Sequence, residues 1–485
     1  MSTRDVVLAF DAGTSSIKAV LVDFHASILA SADAEYSLII EENNRAEQIP
    51  TEYWEAACSA SRQVLKKSGF GPESVAGIVF ATQWKGMIPL DENGEVLHNS
   101  IIWLDTRAAK EAEKLSAITG KNIDVRDYWP RLMWYKDNHP DLFKKTACIL
   151  EANGYLKYRA CKELAIDKSN HFTRSSFSDT QEFFTSVIKG TDIDSDLFPP
   201  LVRSTDVVGN VSIEAALQLG VEPGIPVFGG LCDIPAVTIG SGAARAGSWH
   251  LYLGSSGWFG LTCNIHDKKP LVPLVVADDT CVIASGLQSV CMSYNWAIKT
   301  FYPEEFKNHD ANLYALVESE IENIKPGSDG LLAIPSVYGE YGPSFSPDMR
   351  ASLIGMTASH TRAHFIHAVL EGICFLLRIQ KESIEKTRKV KLVSVNVIGG
   401  GTSNCQWMQM LANVMDAEIR IPANPRYAGA IGAACCALVG LGVFSDLSES
   451  SLKVSIDKTF LSEKTTVDQY NELFRSFKYY LQNLR

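Results

Sequence analysis

The chain has 485 residues, 46% of them hydrophobic and 21% charged, with a formal net charge of −11. That length suits two domains of roughly 200–250 residues rather than one core, and the acidic balance argues against a nucleic-acid partner, which needs a basic face. The 11 cysteines form no CxxC pair and no metal-like Cys/His spacing, so buried free thiols in a reducing compartment are expected.

In chain order, Met1-Ser2-Thr3-Arg4-Asp5 opens without a signal-type apolar segment. Val6 to Phe10 is a short apolar run that stops at Asp11-Ala12-Gly13-Thr14-Ser15-Ser16, and Ile17 to Val22 resumes it: strand, tight turn, strand. Thr51 to Lys67 carries Trp54, Ala57, Cys58, Val64 and Leu65 at helical spacing. Val75 to Ala81 reads as a buried strand that ends at Thr82-Gln83-Trp84-Lys85-Gly86. Gly224-Ile225-Pro226-Val227-Phe228-Gly229-Gly230 is a strand with a glycine exit into Asp233.

Gly247 to Leu253 then runs into Gly254-Ser255-Ser256-Gly257 and a second strand from Trp258, a repeat of the first hairpin. Two such hairpins, each opening half of the chain, predict an internal duplication with domains 1–246 and 247–485. Leu392 to Ile398 is a strand that passes through Gly399-Gly400-Gly401-Thr402-Ser403-Asn404 into a helix over Gln406 to Met415. Alternating strands and helices indicate an α/β fold. The apolar runs, Ala428 to Val443 among them, fall short of the about 18–20 residues of a membrane span, so a cytoplasmic protein without membrane contact is expected.

Four segments carry chemistry. The turn Asp11–Ser16 offers backbone N–H groups and hydroxyls to one point, a nest for phosphate, with Lys18 one step into the next strand. Asp11 beside phosphate calls for a divalent cation, held directly or through water; alone, the segment reads equally as an ordinary hairpin. Gly254-Ser255-Ser256-Gly257 repeats that physics. Glycines 399–401 at a strand–helix junction allow close approach of a flat ring or ribose, helix N-terminal amides suit an anionic or polar group, and Asn404 can donate to and accept from adenine. Asp233 at the end of an internal strand suits a carboxylate that accepts a substrate hydroxyl proton during phosphoryl transfer, although a lone Asp after glycines is more often a turn or cap residue.

Together these segments resemble the FGGY carbohydrate kinase family of the actin-like ATPase superfamily, and the resemblance covers nearly the whole chain. Its most specific part is Ala351, Leu353, Gly355-Met356, His364-Phe365 and Ala368-Val369-Leu370-Glu371, with Glu371 read as structural. Glu47-Gln48-Ile49-Pro50 with Trp54, Trp103-Leu104-Asp105-Thr106-Arg107 and Trp407-Met408-Gln409 also fit. The resemblance implies a ribonuclease-H-like core in each domain, a cleft between the domains that closes over the substrate, ATP, Mg²⁺ and Asp233 as base. It implies phosphate contacts at Gly13, Thr14, Ser15, Lys18, Gly254, Ser255 and Ser256, with adenosine near Gly400, Gly401 and Asn404. Asp11 and Asp233 would attend the metal, and Gln83, Trp84, Lys85, Trp103, Asp105 and Asp233 the substrate. The family expectation for assembly is a homodimer.

Length and the Asp233 context look most like xylulokinases, which implies a ketose acceptor, a pentulose such as D-xylulose. The chain departs from their pattern where Gln83-Trp84-Lys85-Gly86 stands in place of Gln-Met-His-Gly, where Arg131 stands in place of Lys, and where Ile234-Pro235 follows Asp233 in place of Asn-Ala. Lys85 brings a cation, which keeps a sugar acid such as gluconate as an alternative substrate. A non-catalytic actin-like ATPase would lack the Asp233 segment and the Ala351–Glu371 pattern. A sugar-sensing repressor would need a basic helix-turn-helix, which neither end of the sequence offers.

Overall fold

The computed structural model describes residues 4–41, 44–170, 180–267, 274–340, 345–346 and 348–483. It forms two compact units: Met1–Ala246 with Thr262–Ile283 and Tyr427–Val454, and Gly247–Leu261 with Ala284–Arg426 and Ser455–Arg485. The expected border falls at residue 246 in this division, and the segments 262–283 and 427–454 pack with the first unit. The physical reason is visible in the helix Ala428–Gly440, an Ala/Gly/Ile/Cys/Leu run that is apolar all round and buried from Ala428 to Leu438. Such a helix needs cover on every side, and it finds it in the first unit.

The first unit is built on β1 (Val6–Ala12), β2 (Ser16–Asp23), β3 (Ile28–Glu35), β4 (Val75–Thr82), β5 (Val207–Asn210), β6 (Pro226–Phe228) and β7 (Leu231–Cys232). Their order is β5-β6-β4-β1-β2-β3, with β7 also pairing β4. β1 runs antiparallel to β2, and β4 runs parallel to β1, β6 and β7. Every residue of β1 and β4 is buried, which is why both read as unbroken apolar runs: both faces of the sheet are covered. Leu8, Phe10, Ile78 and Phe80 pack with Tyr53 and Trp54 of helix α1 (Pro50–Ser68) on one face. Val7, Ala9, Val79 and Ala81 pack on the other face with residues of Asp233–Gly240 and Ala428–Gly440.

Those last two helices approach through glycine. A Cβ on Gly240 would sit 1.8 Å from the Ala428 carbonyl oxygen, and one on Gly432 would sit 1.9 Å from that of Ala236. Only hydrogen fits there. The register then sets the site: Ala12 lies opposite Thr82, and Cys232 lies opposite Thr82. Three parallel strands therefore stop side by side, and the residues beyond them (Gly13 onward, Gln83 onward, and Asp233) emerge at one carboxyl edge, where open α/β sheets bind ligands.

The second unit repeats this topology. Strands Trp249–Leu253 and Gly257–Asn264 form an antiparallel hairpin, Trp249–Leu253 pairs parallel with Ser394–Ile398, which pairs parallel with Glu418–Pro422, and Ile456–Phe460 closes the edge antiparallel. The first unit follows the same sequence of pairings, ending in β6 antiparallel to β5, so the duplication expected from the two hairpins is present in the topology. Among the described residues one helix, Arg362–Arg388, is long and apolar enough to cross a membrane, and 78% of its most apolar stretch is buried inside the protein. It is a core helix. Its Glu371 accepts hydrogen bonds from Gly327 N and Ser328 Oγ at 2.7 and 2.9 Å, a structural role. All 11 cysteines are free, and Cys435 and Cys436 are buried.

Candidate functional site

Asp11 and Asp233 define the centre of the first unit's edge. Asp233 is the first residue of its helix and accepts a hydrogen bond from Ile234 N at 2.9 Å. Burial, then the charge of Asp11, push its carboxyl up from 3.8 to about 7. Both causes oppose ionisation: a charge loses water, and a like charge stands nearby. Asp11 is 9% exposed and pairs with Lys18 Nζ at 3.5 Å. The N-terminal turn of Ala428–Gly440 closes on it, since a Cβ on Gly429 would lie 2.5 Å from Asp11 Oδ2. The positive end of that helix therefore meets the carboxylate.

The turn beyond β1 is pinned from several sides. Gly13 N donates to Ser16 O at 3.0 Å and Gln83 N to Ala12 O at 2.7 Å. Tyr36 OH donates to the Gly13 and Ser16 carbonyls. Gln48 Nε2 donates to Thr14 O at 2.6 Å, and Trp103 Nε1 to Thr14 Oγ1 at 3.2 Å. Thr14 and Trp103 are thus brought together, and Ser15 is exposed at the tip. Gln83 is buried and donates to Gln48 Oε1, while its own Oε1 has no partner.

Lys85 sits in the left-handed region at φ 65°, an uncommon state for a side chain with a Cβ. Its N–H donates to Tyr128 OH at 2.9 Å, and its carbonyl accepts from Arg131 Nη2 at 2.6 Å. Its ammonium pairs with Asp127 Oδ1 and lies 4.5 Å from the centre of the Trp84 ring. Lys85 is therefore held inward and is not a surface lysine. Asp105 is fully buried, and its carboxylate accepts from Ala46 N at 2.7 Å and from the Arg107 guanidinium. Its acceptors serve the fold, which sets it apart from Gln83, Trp84 and Lys85 as a candidate for substrate contact.

In the second unit, Gly254 N donates to Ser256 O at 2.9 Å, and the Ser255 carbonyl accepts from Val290 N at 2.9 Å. Gly399 has φ 99°, where a Cβ would also strike the Leu253 carbonyl oxygen at 2.4 Å, whereas a Cβ on Gly400 would meet open space. The strand passes through residues 399–404 into a helix, as the sequence reads. A 3₁₀ turn, Gly400–Ser403, intervenes before the helix Cys405–Met415. The amides of that helix are already taken: Asn404 Oδ1 accepts from Trp407 N at 2.8 Å, and Glu318 Oε1 accepts from Cys405 N at 2.7 Å and Gln406 N at 3.3 Å. A carboxylate of the protein fills the place that the sequence offered to an anion. Asn404 is left with its Nδ2, 3.4 Å from Tyr294 OH.

Residues 6–240 match the N-terminal domain, and residues 251–441 the C-terminal domain, of the FGGY family of carbohydrate kinases. The chain belongs to this family. It is a sugar kinase, a phosphotransferase with an alcohol acceptor, with the actin-like α/β fold of that family. This FGGY kinase is 29% identical to the xylulose kinase of Bacillus subtilis (strain 168), over 97% of its own length and 96% of the relative's. Among solved structures it resembles a gluconate kinase and a xylulose kinase from Lactobacillus acidophilus, with TM-scores of 0.85 and 0.84. Each is 22% identical and covers 99% of this chain and 98% of the other. At that identity the two structures speak for the fold.

Sequence reasoning did not single out Tyr36, Asp127, Tyr128, Gly429 or Glu318. Gln48 lay within the Glu47–Pro50 segment, and Asp127 stands just ahead of Pro130-Arg131, so proximity to matched segments was the available signal. Gly429 and Glu318 reach their places only through tertiary packing.

Proposed function

We propose that this FGGY kinase transfers the γ-phosphoryl group of ATP to a terminal hydroxyl of a ketose, a pentulose such as D-xylulose. The observation that carries the reading is Asp233, its carboxyl raised to about 7 beside Asp11, at the carboxyl edge it shares with Gln83–Lys85. A base with a pKa near the working pH combines availability with driving force. In this reading Asp233 takes the proton of the attacking hydroxyl, Gln83, Trp84, Lys85 and Trp103 orient the carbon chain, and Gly13, Thr14, Ser15 and Lys18 receive phosphate oxygens. Gly254, Ser255 and Ser256 serve phosphate from the second unit, and Gly400, Gly401 and the Asn404 amide serve the adenosine. The 29% relative named xylulose kinase supports the pentulose.

Two electrostatically coupled carboxylates, Asp11 and Asp233, fit a divalent cation that arrives with a nucleotide: Mg²⁺ keeps waters and phosphate oxygens and needs one or two protein carboxylates. Among the described residues no group of three or more His, Cys, Asp or Glu could hold a metal alone. Asp11, with Asp233, would hold Mg²⁺, which would neutralise charge on the transferring phosphoryl group. The test is ADP release across pentuloses, hexuloses, glycerol and aldonates. Turnover should be highest with a pentulose, and faster turnover of glycerol or gluconate overturns the assignment.

A further inference from the structure

The strongest unassigned feature is the grip of one helix N-terminus on Lys85. Helix Tyr128–Asn138 and the residue before it hold that lysine at three points: Asp127 at the ammonium, Tyr128 OH at the backbone N–H, and Arg131 at the carbonyl. Asp127 is fully buried, and its second oxygen, Oδ2, has no hydrogen-bond partner. The Lys85 side chain retains 13% exposure while that of Asp127 has none, so the lysine stands in front and the carboxylate behind it.

The surrounding charges balance as a set, Lys85, Arg107, Arg126 and Arg131 against Glu47, Asp105, Asp124 and Asp127. Arg107 lies between Asp105 and Glu47, with contacts of 2.6 and 2.7 Å. Asp124 is paired by Arg126 at 2.9 Å. Arg131 spends its donors on the carbonyls of Lys85, Ile101, Arg126 and Asp127. Lys85 therefore presents N–H donors without a surplus positive charge, and behind it lies a buried anion. A hydroxyl loses little on meeting such a group. A carboxylate gains a donor but faces the field of Asp127 in a poorly screened setting.

We infer that the Lys85–Asp127 pair makes the sugar site electroneutral, so that the enzyme selects neutral polyhydroxy substrates and rejects sugar acids of the same length. Asp127 is the positioning residue and Lys85 the group that meets the substrate; the inference rests on the placement of the sugar beside Gln83–Lys85. It reverses the expectation that the Lys85 cation favours an aldonate.

The test uses the intact enzyme with ATP, its best sugar substrate, and two competitors of equal length, xylitol and D-xylonate. In the wild type, xylonate should compete at least tenfold more weakly than xylitol. Asp127→Asn keeps shape but uncovers the lysine charge, and should narrow that ratio at least tenfold by strengthening xylonate. Equal competition in the wild type, or an unchanged ratio in a folded Asp127→Asn variant, overturns the inference; the wild-type comparison stands even if the variant fails to fold. Gluconate as the best substrate overturns it as well, and so does an absence of competition by both compounds, which removes the pair from the sugar site. A best substrate that is neutral but not a pentulose defeats the pentulose assignment alone and leaves the competitor ratio as the test of the pair.

Discussion

Asp233→Asn should separate function from stability in opposite directions. The Asp233 carboxyl stands at about 7 in the fold against an ordinary 3.8. A group whose folded-state pKa is raised binds more protons folded than unfolded between those values, so its share of stability grows as pH falls and is lost as pH rises through about 7. At about 1.4 kcal/mol for each pH unit, the ionised side chain costs at most about 4 kcal/mol above pH 7, with solvent at this half-buried site lowering that ceiling. Asparagine keeps the shape and carries no charge. The variant should therefore resist denaturant better than wild type at pH 8.5, and the gap should shrink to about 2 kcal/mol or less by pH 5. Phosphoryl transfer should fall by about 10²–10⁴-fold as the proton acceptor is lost, while ATP binding persists. Urea unfolding at the two pH values, paired with ADP release and nucleotide titration, checks both halves. A variant no more stable than wild type at pH 8.5, or one that turns over sugar within a few-fold of it, refutes the reasoning.

The same carboxyl gives a pH prediction: kcat/KM for the sugar should decline below about pH 7 with a slope of one as Asp233 protonates, and a flat profile down to pH 5 counts against it as base. Lys85→Met should raise the sugar KM by an amount matching about 1.5–3 kcal/mol for a lost charged hydrogen bond and leave the KM for ATP nearly unchanged. It should also lower stability, because the buried Asp127 charge loses its partner; a sugar KM equal to wild type removes Lys85 from the site. Gly429→Ala should push a methyl group to within 2.5 Å of Asp11 Oδ2, lowering kcat at least tenfold in an enzyme whose circular dichroism is unchanged. Full activity would show that Asp11 can move without consequence. Asn404→Ala removes the cap on Trp407 N and should cost about 1 kcal/mol of stability, with an added rise in the ATP KM if the amide meets adenosine; stability loss with no change for ATP assigns Asn404 to the helix alone.

The parts of this protein legible in sequence are those that local chemistry dictates. The hairpin around Gly13, the buried strand into Gln83 and the glycine exit into Asp233 are short-range patterns, and the strands lie within two residues of where those patterns put them. What stayed hidden depended on chain segments far apart. Residues 427–454 read as part of the block 247–485, and nothing local shows that their helix, apolar on all sides, packs with the first unit. The triple glycine looked like an open helix start because Glu318, more than 80 residues earlier, gave no sign that it would cap Cys405 and Gln406. Lys85 is the sharpest instance. Sequence shows a cation and therefore suggests an anionic ligand, since charge is counted residue by residue along a chain. In the fold the relevant quantity is the field at one point, and there Asp127, 42 residues downstream, pairs with the Lys85 ammonium. A buried ion pair is costly to assemble and adds little stability by itself, so its presence at the edge where Asp233 emerges is better explained by what it does to a ligand. On the inference drawn above, it would keep the donors of a lysine while offsetting the charge that favours a sugar acid, and a site of that kind discriminates by penalising a competitor as well as by gripping its own ligand.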